Sequence, residues 1–319
     1  MKRLAATLVV MAVLTTTTSA QDWPSRPVRI INTFAPGGAA DQLARIAADH
    51  LSTAFKQQFF VENRAGAAGV IGMQAVAAAE PDGYTFGINT LSLSVIIPMT
   101  NPKAGYDPVK DLTPVAYLAG TPIVLVVSPK SGIRTLKDFV AKSRASSKPL
   151  SYGTSGLSSV GQMVAQSFEL AAKLKFDVVP YKGAAQSLLD VIANHIDFAT
   201  PTLTSAAGQI RGDAIVPLAL AADKRMPDYP DLPTFKELGY DVVGVNWFGL
   251  VGPARLPNDI AVKVNREINV VMSKPASQQR MRADGMLVDP MDVVQFRKFI
   301  ADETVRWTPV IEKSGLLKK

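Results

Sequence analysis

One arrangement occurs twice in this chain and restricts its fold more than any other feature. A β-rich run leads into a loop of small residues, and the loop opens a helix with no early positive charge. The first copy is Val28 to Phe34, then Ala35-Pro36-Gly37-Gly38-Ala39-Ala40-Asp41, then a helical stretch to about Phe55. The second is Leu150-Ser151-Tyr152, then Gly153-Thr154-Ser155-Gly156-Leu157-Ser158-Ser159, then a helical stretch to about Leu174. The first N–H groups of a helix lack internal partners, and the helix dipole adds partial positive charge there. A loop that turns such an end toward a cleft is a seat for an anion. Two seats more than a hundred residues apart point to two lobes gripping one small acid, which can carry two carboxylates.

Strand-like and helix-like runs alternate along the rest of the chain, which predicts an α/β fold with mostly parallel strands. Strands are expected at Val28–Phe34, Phe59–Asn63, Tyr84–Ile88, Pro122–Val127, Asp177–Pro180, Ile196–Ala199 and Ile215–Ala221. Helices are expected over Gln42–Ala54, from Gly72 to about Ala79, Leu136–Arg144, Ala184–Asn194, Ile260–Ser273 and Asp292–Lys313, with Thr135 and Asp138 as a capping pair. Apolar strands over Val115–Val127 and Val242–Gly252 read as lobe crossings. They divide the chain into a discontinuous first lobe, residues 21–121 plus 247–319, and an inserted second lobe, residues 122–246.

Met1-Lys2-Arg3, an apolar run from Leu4 to Leu14 and the small-residue ending Thr18-Ser19-Ala20 have the order of a secretory signal peptide cleaved after Ala20. The apolar run is shorter than the roughly 20 residues that a bilayer span requires. The protein is expected to be exported, without a direct membrane anchor. There are no cysteines, which excludes disulfides, thiolate metal sites and cysteine nucleophiles. The formal net charge is +7, but the basic residues are scattered without aromatic interleaving, so no nucleic-acid partner is expected.

Enzyme signatures are missing. The two histidines, His50 and His195, have no Ser/His/Asp spacing around them, and Gly153-Thr154-Ser155-Gly156 is not a G-x-S-x-G elbow. No phosphate-binding loop, dinucleotide fingerprint or H-E-x-x-H is present, so neither cofactor nor metal is expected.

Nine short words run in order through the chain. They are Phe34-Ala35-Pro36-Gly37-Gly38 with Asp41 and Ala44-Arg45, Val61-Glu62-Asn63-Arg64-Ala65-Gly66, Pro81-Asp82-Gly83-Tyr84-Thr85 and Tyr106-Asp107-Pro108-Val109-Lys110-Asp111-Leu112. Then come Tyr152-Gly153-Thr154-Ser155-Gly156, Val179-Pro180-Tyr181-Lys182-Gly183-Ala184, Pro230-Asp231-Leu232-Pro233-Thr234, Trp247-Phe248-Gly249-Leu250 and Val264-Asn265. With these words the chain resembles the periplasmic substrate-binding receptors of the tripartite tricarboxylate transporter family, the Bug receptors. The resemblance implies a two-lobed periplasmic-binding-protein fold that closes on a small carboxylate. It also implies delivery to an inner-membrane permease of the tripartite type, by a receptor expected to be monomeric. A ligand-sensing receptor for a sensor kinase and a periplasmic hydrolase of an acidic substrate stand as alternatives.

The candidate ligand residues follow from the two seats and the resemblance. The first seat is Phe34, Pro36, Gly37, Gly38, Ala39 and Ala40, with Asp41 read as a helix-start residue satisfying local donors. The second is Thr154, Ser155, Gly156, Ser158 and Ser159. Tyr181, Lys182, Gly183 and Ala184 open a third helix beside them, and Asn89, Thr90 and Thr200 stand at strand ends. Phe34, Trp247 and Phe248 supply either apolar walls or hinge packing. The family often has hydroxyls where this chain has Ala39-Ala40, a histidine and an asparagine where it has Ser94 and Ile97, and Phe-Asp-Asn where it has Thr200-Pro201-Thr202. The two alanines and the loss of the acid favour a dicarboxylate without an amine, aliphatic or aromatic.

Overall fold

The computed structural model describes residues 23–313, so the expected leader lies outside the described residues. In chain order the elements are β1 (Val28–Asn32), α1 (Ala39–Phe55), β2 (Phe59–Asn63), α2 (Val70–Ala77), β3 (Thr85–Thr90), α3 (Ile97–Thr100), β4 (Leu112–Val127) and α4 (Leu136–Ala145). They continue with β5 (Leu150–Thr154), α5 (Val160–Ala172), β6 (Phe176–Pro180), α6 (Ala184–Ala193), β7 (Phe198–Ala199), α7 (Leu203–Arg211) and β8 (Val216–Ala221). The chain closes with β9 (Val245–Pro253), α8 (Asn258–Ser273), α9 (Pro275–Ala283) and α10 (Val293–Lys313).

These strands form two sheets that share β4. The first has the order β2-β1-β3-β9-β4, with β1 parallel to β2 and β3, and β9 antiparallel to both β3 and β4. In the second, β4 lies between β8 and β7 and antiparallel to both, and β5 is parallel to β7 and β6. Pairing is therefore parallel among β2, β1 and β3 and among β7, β5 and β6, and antiparallel wherever β4 or β9 joins its neighbours. Residues Leu112 to Pro122 of β4 pair with β9, and from Ile123 onward β4 pairs with β8 and β7.

Local chemistry sets the element ends. The Asn32 side chain accepts a bond from the Phe34 N–H at 3.3 Å and turns the backbone, so β1 stops two residues before the apolar run does. Helix α1 starts three residues earlier than Gln42 because extended Gly38 acts as its N-cap. Its apolar stripe, Leu43, Ala47 and Leu51, recurs at the four-residue spacing of one helix face and is fully buried. The Thr135–Asp138 capping box forms as expected, with reciprocal side-chain and backbone bonds. Gly120-Thr121-Pro122 does not break β4, because all three pair with β9.

Helices cover both sheets. On the first, α1 and α8 enclose Val28, Ile30, Phe86, Leu250 and Ile268, while α2 packs on the other face with Ile31, Val76 and Val251. On the second, α6 and α7 bury Val124, Val126 and Leu220, and the aromatic cluster Phe139, Tyr152, Phe168, Phe176 and Phe198 fills the opposite face. Helix α10 lies over the join, where Phe296 and Phe299 meet Tyr117 and Trp247 edge-on. No helix among the described residues is long and apolar enough to cross a membrane.

Candidate functional site: a cleft between helix ends

The elements that carry the two seats bring four helix N-termini, α1, α5, α6 and α7, to one cavity between the sheets. The space between the lining residues, open solvent at its mouth included, is about 510 Å³, and the enclosed part is much smaller. Residues of all four starts line it, including Ala39 and Ala40 of α1, Ser159 and Val160 of α5, Ala184 of α6 and Ser205 of α7. The four ends are not equivalent. Ser159 caps α5 by accepting from the Gln162 N–H, and Thr202 caps α7 by accepting from the Ser205 N–H. Gly38 and Gly183, the N-caps of α1 and α6, make no side-chain cap bond. A glycine cap leaves the first N–H groups of its helix for some other acceptor.

One of those N–H groups is already used across the cleft. The Ala39 N–H of α1 donates to Ser205 Oγ on α7 at 3.0 Å. Ala35 N–H donates to the Lys182 carbonyl at 3.2 Å, and Thr100 Oγ1 donates to Ser158 Oγ at 3.0 Å. A Cβ built on Gly183 would lie 3.2 Å from the Ala35 Cβ, so glycine permits this close approach. The lobes are thus closed on one another.

None of the described residues lining the cavity carries a charge. An anion here meets N–H groups, hydroxyls and helix-end potential. An ammonium group would find no carboxylate. The apolar wall is Phe34, Ile123 and Phe248. Alternation along β9 puts Asn246 and Phe248 on the cavity side and Trp247 in the aromatic core behind, against Phe296 and Phe299.

Two polar atoms of the lining residues stand out. Thr200 Oγ1 and Asn246 Oδ1 are shut off from solvent and have no hydrogen-bond partner. Such groups are nearly always paired in a folded protein.

Of the residues expected from sequence, Phe34, Gly38, Ala39, Ala40, Ser155, Ser159, Ala184, Thr200 and Phe248 line the cavity. The others lie elsewhere. Pro36 and Gly37 are exposed, and the Gly37 N–H donates to Asp41 Oδ2, which also takes Arg45 Nε. Asp41 is thereby a local organiser of the loop. Thr154 is buried behind the lining, with its hydroxyl 2.5 Å from that of Ser159. Gly156 and Ser158 make the contact with the other lobe, where a Cβ on Gly156 would come within 2.7 Å of Ala68 Cβ.

Tyr181 donates to Asp190, Lys182 is exposed and contributes its carbonyl, and Gly183 is the bare cap. Asn89 and Thr90 fall short of the cleft. Asn89 donates to Ser94 Oγ at the edge of a second pocket beside Lys110 and Arg297, and Thr90 accepts from Leu93 N–H at the start of a π-helical turn, Ser92–Ile96.

Sequence reasoning missed Ser92, Thr202, Ser205 and Asn246. Thr202-Leu203-Thr204-Ser205 carried a cap signal, since a Thr followed three residues later by an amide it can accept from is an ordinary helix start. Ser92 and Asn246 carried no local signal.

Comparison with known proteins fits this geometry. The family model described as tripartite tricarboxylate transporter family receptor matches residues 43–316. Protein BugT of Bordetella pertussis is 31% identical, over 93% of this chain and 92% of its own. A solved R. palustris protein with adipate is 29% identical with a TM-score of 0.89, covering 92% of this chain and 99% of that one. MatC from Rhodopseudomonas palustris with bound malate is 27% identical with a TM-score of 0.85, covering 91% and 100%. The neighbours share the two-lobed architecture, and the chain belongs to the receptors of the tripartite tricarboxylate transporter family.

Proposed function

We propose that this protein binds a small dicarboxylate without an amine in the cleft and hands it to a tripartite-type permease of the inner membrane. The binding lobes are residues 21–121 plus 247–319 and residues 122–246, bending where β4 and β9 cross together. The observation that carries this reading is the pair of bare glycine caps, Gly38 and Gly183, whose helices both open into one uncharged cavity.

A carboxylate at a helix N-terminus gains about 0.3–1 kcal/mol from the dipole, and up to about 2 when partly buried. Each bond to a charged group adds about 1.5–3 kcal/mol. Two seats on opposite lobes make that gain conditional on closure, so a two-headed anion shifts the population toward the closed form, which a permease can read. The neighbours solved with adipate and with malate support a diacid.

The test is calorimetry on residues 21–319, unfolded and refolded to strip any carried ligand, against mono-, di- and tricarboxylates and amino acids. Saturable binding confined to diacids is expected. At about 100 times its Kd such a ligand stabilises the protein by about 2.7 kcal/mol. Preference for amino acids, or no binding by any acid, refutes the reading.

A further inference from the structure

The second pocket, on the first lobe between β4, β9 and α10, differs from the cleft in size and in charge. The space between its lining residues, open solvent at its mouth included, is about 990 Å³, nearly twice that of the cleft. Its base is apolar, made by the buried side chains of Leu112 and Val251 with Ile300 of α10 beside them. The polar atoms near that base are already paired. Asn89 donates to Ser94 Oγ at 2.6 Å, and Thr113 Oγ1 donates to the Pro253 carbonyl at 2.9 Å. The base therefore asks for an apolar occupant. Val109, 85% exposed at the mouth, adds apolar surface that such an occupant would take out of water.

The rim asks for the opposite. Lys110, Arg255 and Arg297 line this pocket, and no acid does. Lys110 is paired with Asp107 at 3.2 Å. Arg255 and Arg297 make no ion pair and no side-chain hydrogen bond with any described residue. The turn that presents Arg255 is fixed from below, because the Ala254 N–H donates to the Asp111 carbonyl at 2.9 Å. A guanidinium offers a planar fork of donors that matches a carboxylate or a phosphate. A cation would be repelled here, and a short anion would leave the apolar base in water.

We propose that this pocket is a second ligand site, for an anion on an apolar tail, with the tail over Leu112, Val251 and Ile300 and the head at Arg255 and Arg297. The site stands whatever the cleft binds. Calorimetry on the refolded protein compares octanoate with acetate and with octyltrimethylammonium. Each buried methylene is worth about fourfold in affinity, so octanoate is expected to bind at least about tenfold tighter than acetate. Octyltrimethylammonium should not bind. Arg255→Gln combined with Arg297→Gln, both at exposed positions, should weaken octanoate at least about tenfold through loss of charge-assisted bonds. Diacid affinity in the cleft should be unchanged. Ala301→Trp fills the pocket from α10 and should weaken octanoate by bulk, with no change of charge. Sedimentation with vesicles of phosphatidylglycerol separates a lipid from a free amphiphile, and capture by vesicles alone, lost in the arginine variant, would assign the site to a lipid headgroup. Octanoate binding that survives both variants lies elsewhere, the cleft included, and overturns the proposal, as does failure of octanoate and of vesicles alike. Absence of binding by every diacid overturns the receptor reading and leaves this pocket to be judged on octanoate and vesicles.

Discussion

Replacing Gly38 with aspartate separates what helix α1 gains from what a ligand gains at the same spot. Gly38 has φ −95° and ψ 179°, which any residue adopts, and its Cβ would lie 3.6 Å from Ser205 Oγ, an ordinary contact. An aspartate there caps its own helix, worth a few tenths of a kcal/mol over glycine, and adds about 0.3–1 kcal/mol with the dipole. Repulsion from Asp41, three residues on, offsets part of that, so the empty protein should change by less than about 1 kcal/mol. A ligand carboxylate at the α1 end would face the new charge at about 6 Å, which costs about 3 kcal/mol at an effective dielectric constant of about 20. That is about a hundredfold in Kd.

Gly38→Asn supplies the control, with the same shape and capping power but no charge, and should lose only about tenfold. The assay is calorimetry for Kd with thermal melts of the empty variants, repeated at higher salt, where the gap between Asp and Asn should narrow. A Kd for Gly38→Asp within about threefold of the natural protein refutes the seat. Equal losses for Asp and Asn refute the electrostatic argument.

Three further outcomes follow from particular contacts. Ser205→Ala removes the acceptor of the Ala39 N–H across the cleft, so small-angle scattering of the empty protein should report a more open form, with ligand bound up to about tenfold more weakly; tighter binding would count against it. Gly249→Ala would drive a Cβ to 2.2 Å from Phe296 Cζ beneath α10, and denaturant titration should show a loss of about 1–3 kcal/mol; an unchanged midpoint would show that the hinge packing yields freely. Burial holds the Glu169 carboxyl above its ordinary value, with the bond from the Phe176 N–H opposing. The folded state therefore keeps that proton more tightly than the unfolded chain, and the native protein loses stability as pH rises from about 4.5 through the raised value. Glu169→Gln keeps an acceptor for Phe176, so its stability relative to the natural protein should climb between about pH 4 and pH 7; a constant difference would contradict the burial argument.

Much of the frame was legible because it is written in local periodicity and capping. The Leu43–Ala47–Leu51 stripe, the Thr135–Asp138 box and the apolar run of β4 each announce an element within a few residues. Much of the cavity was not, because lining is decided by which face of an element looks inward. Thr154 and Ser155 are neighbours in one hydroxyl-rich loop, yet Thr154 turns to Ser159 behind the lining while Ser155 faces the cavity. Asn246 and Trp247 are likewise adjacent, and only β9's register assigns the first to the cleft and the second to the core. Several of the matched words belong to the frame. Asn265 ties α8 to the Val115 and Met291 carbonyls, and Asp107 folds its own loop by accepting from Val109 and Lys110.

The position of β9 bears on how the chain acquires its fold. This strand sits in the middle of the first sheet, between β3 and β4, and pairs Pro253 with Leu112. A chain synthesised or threaded from its N-terminus presents β3 and β4 long before their common neighbour exists. Until residue 253 emerges, both strands offer bare edges to any other extended segment. The second sheet, by contrast, makes its pairings within the continuous stretch 123–221 and can form while the first sheet waits. Slow, non-local closure of the first sheet makes it the stage at which chaperone holding, or aggregation in its absence, should act most strongly.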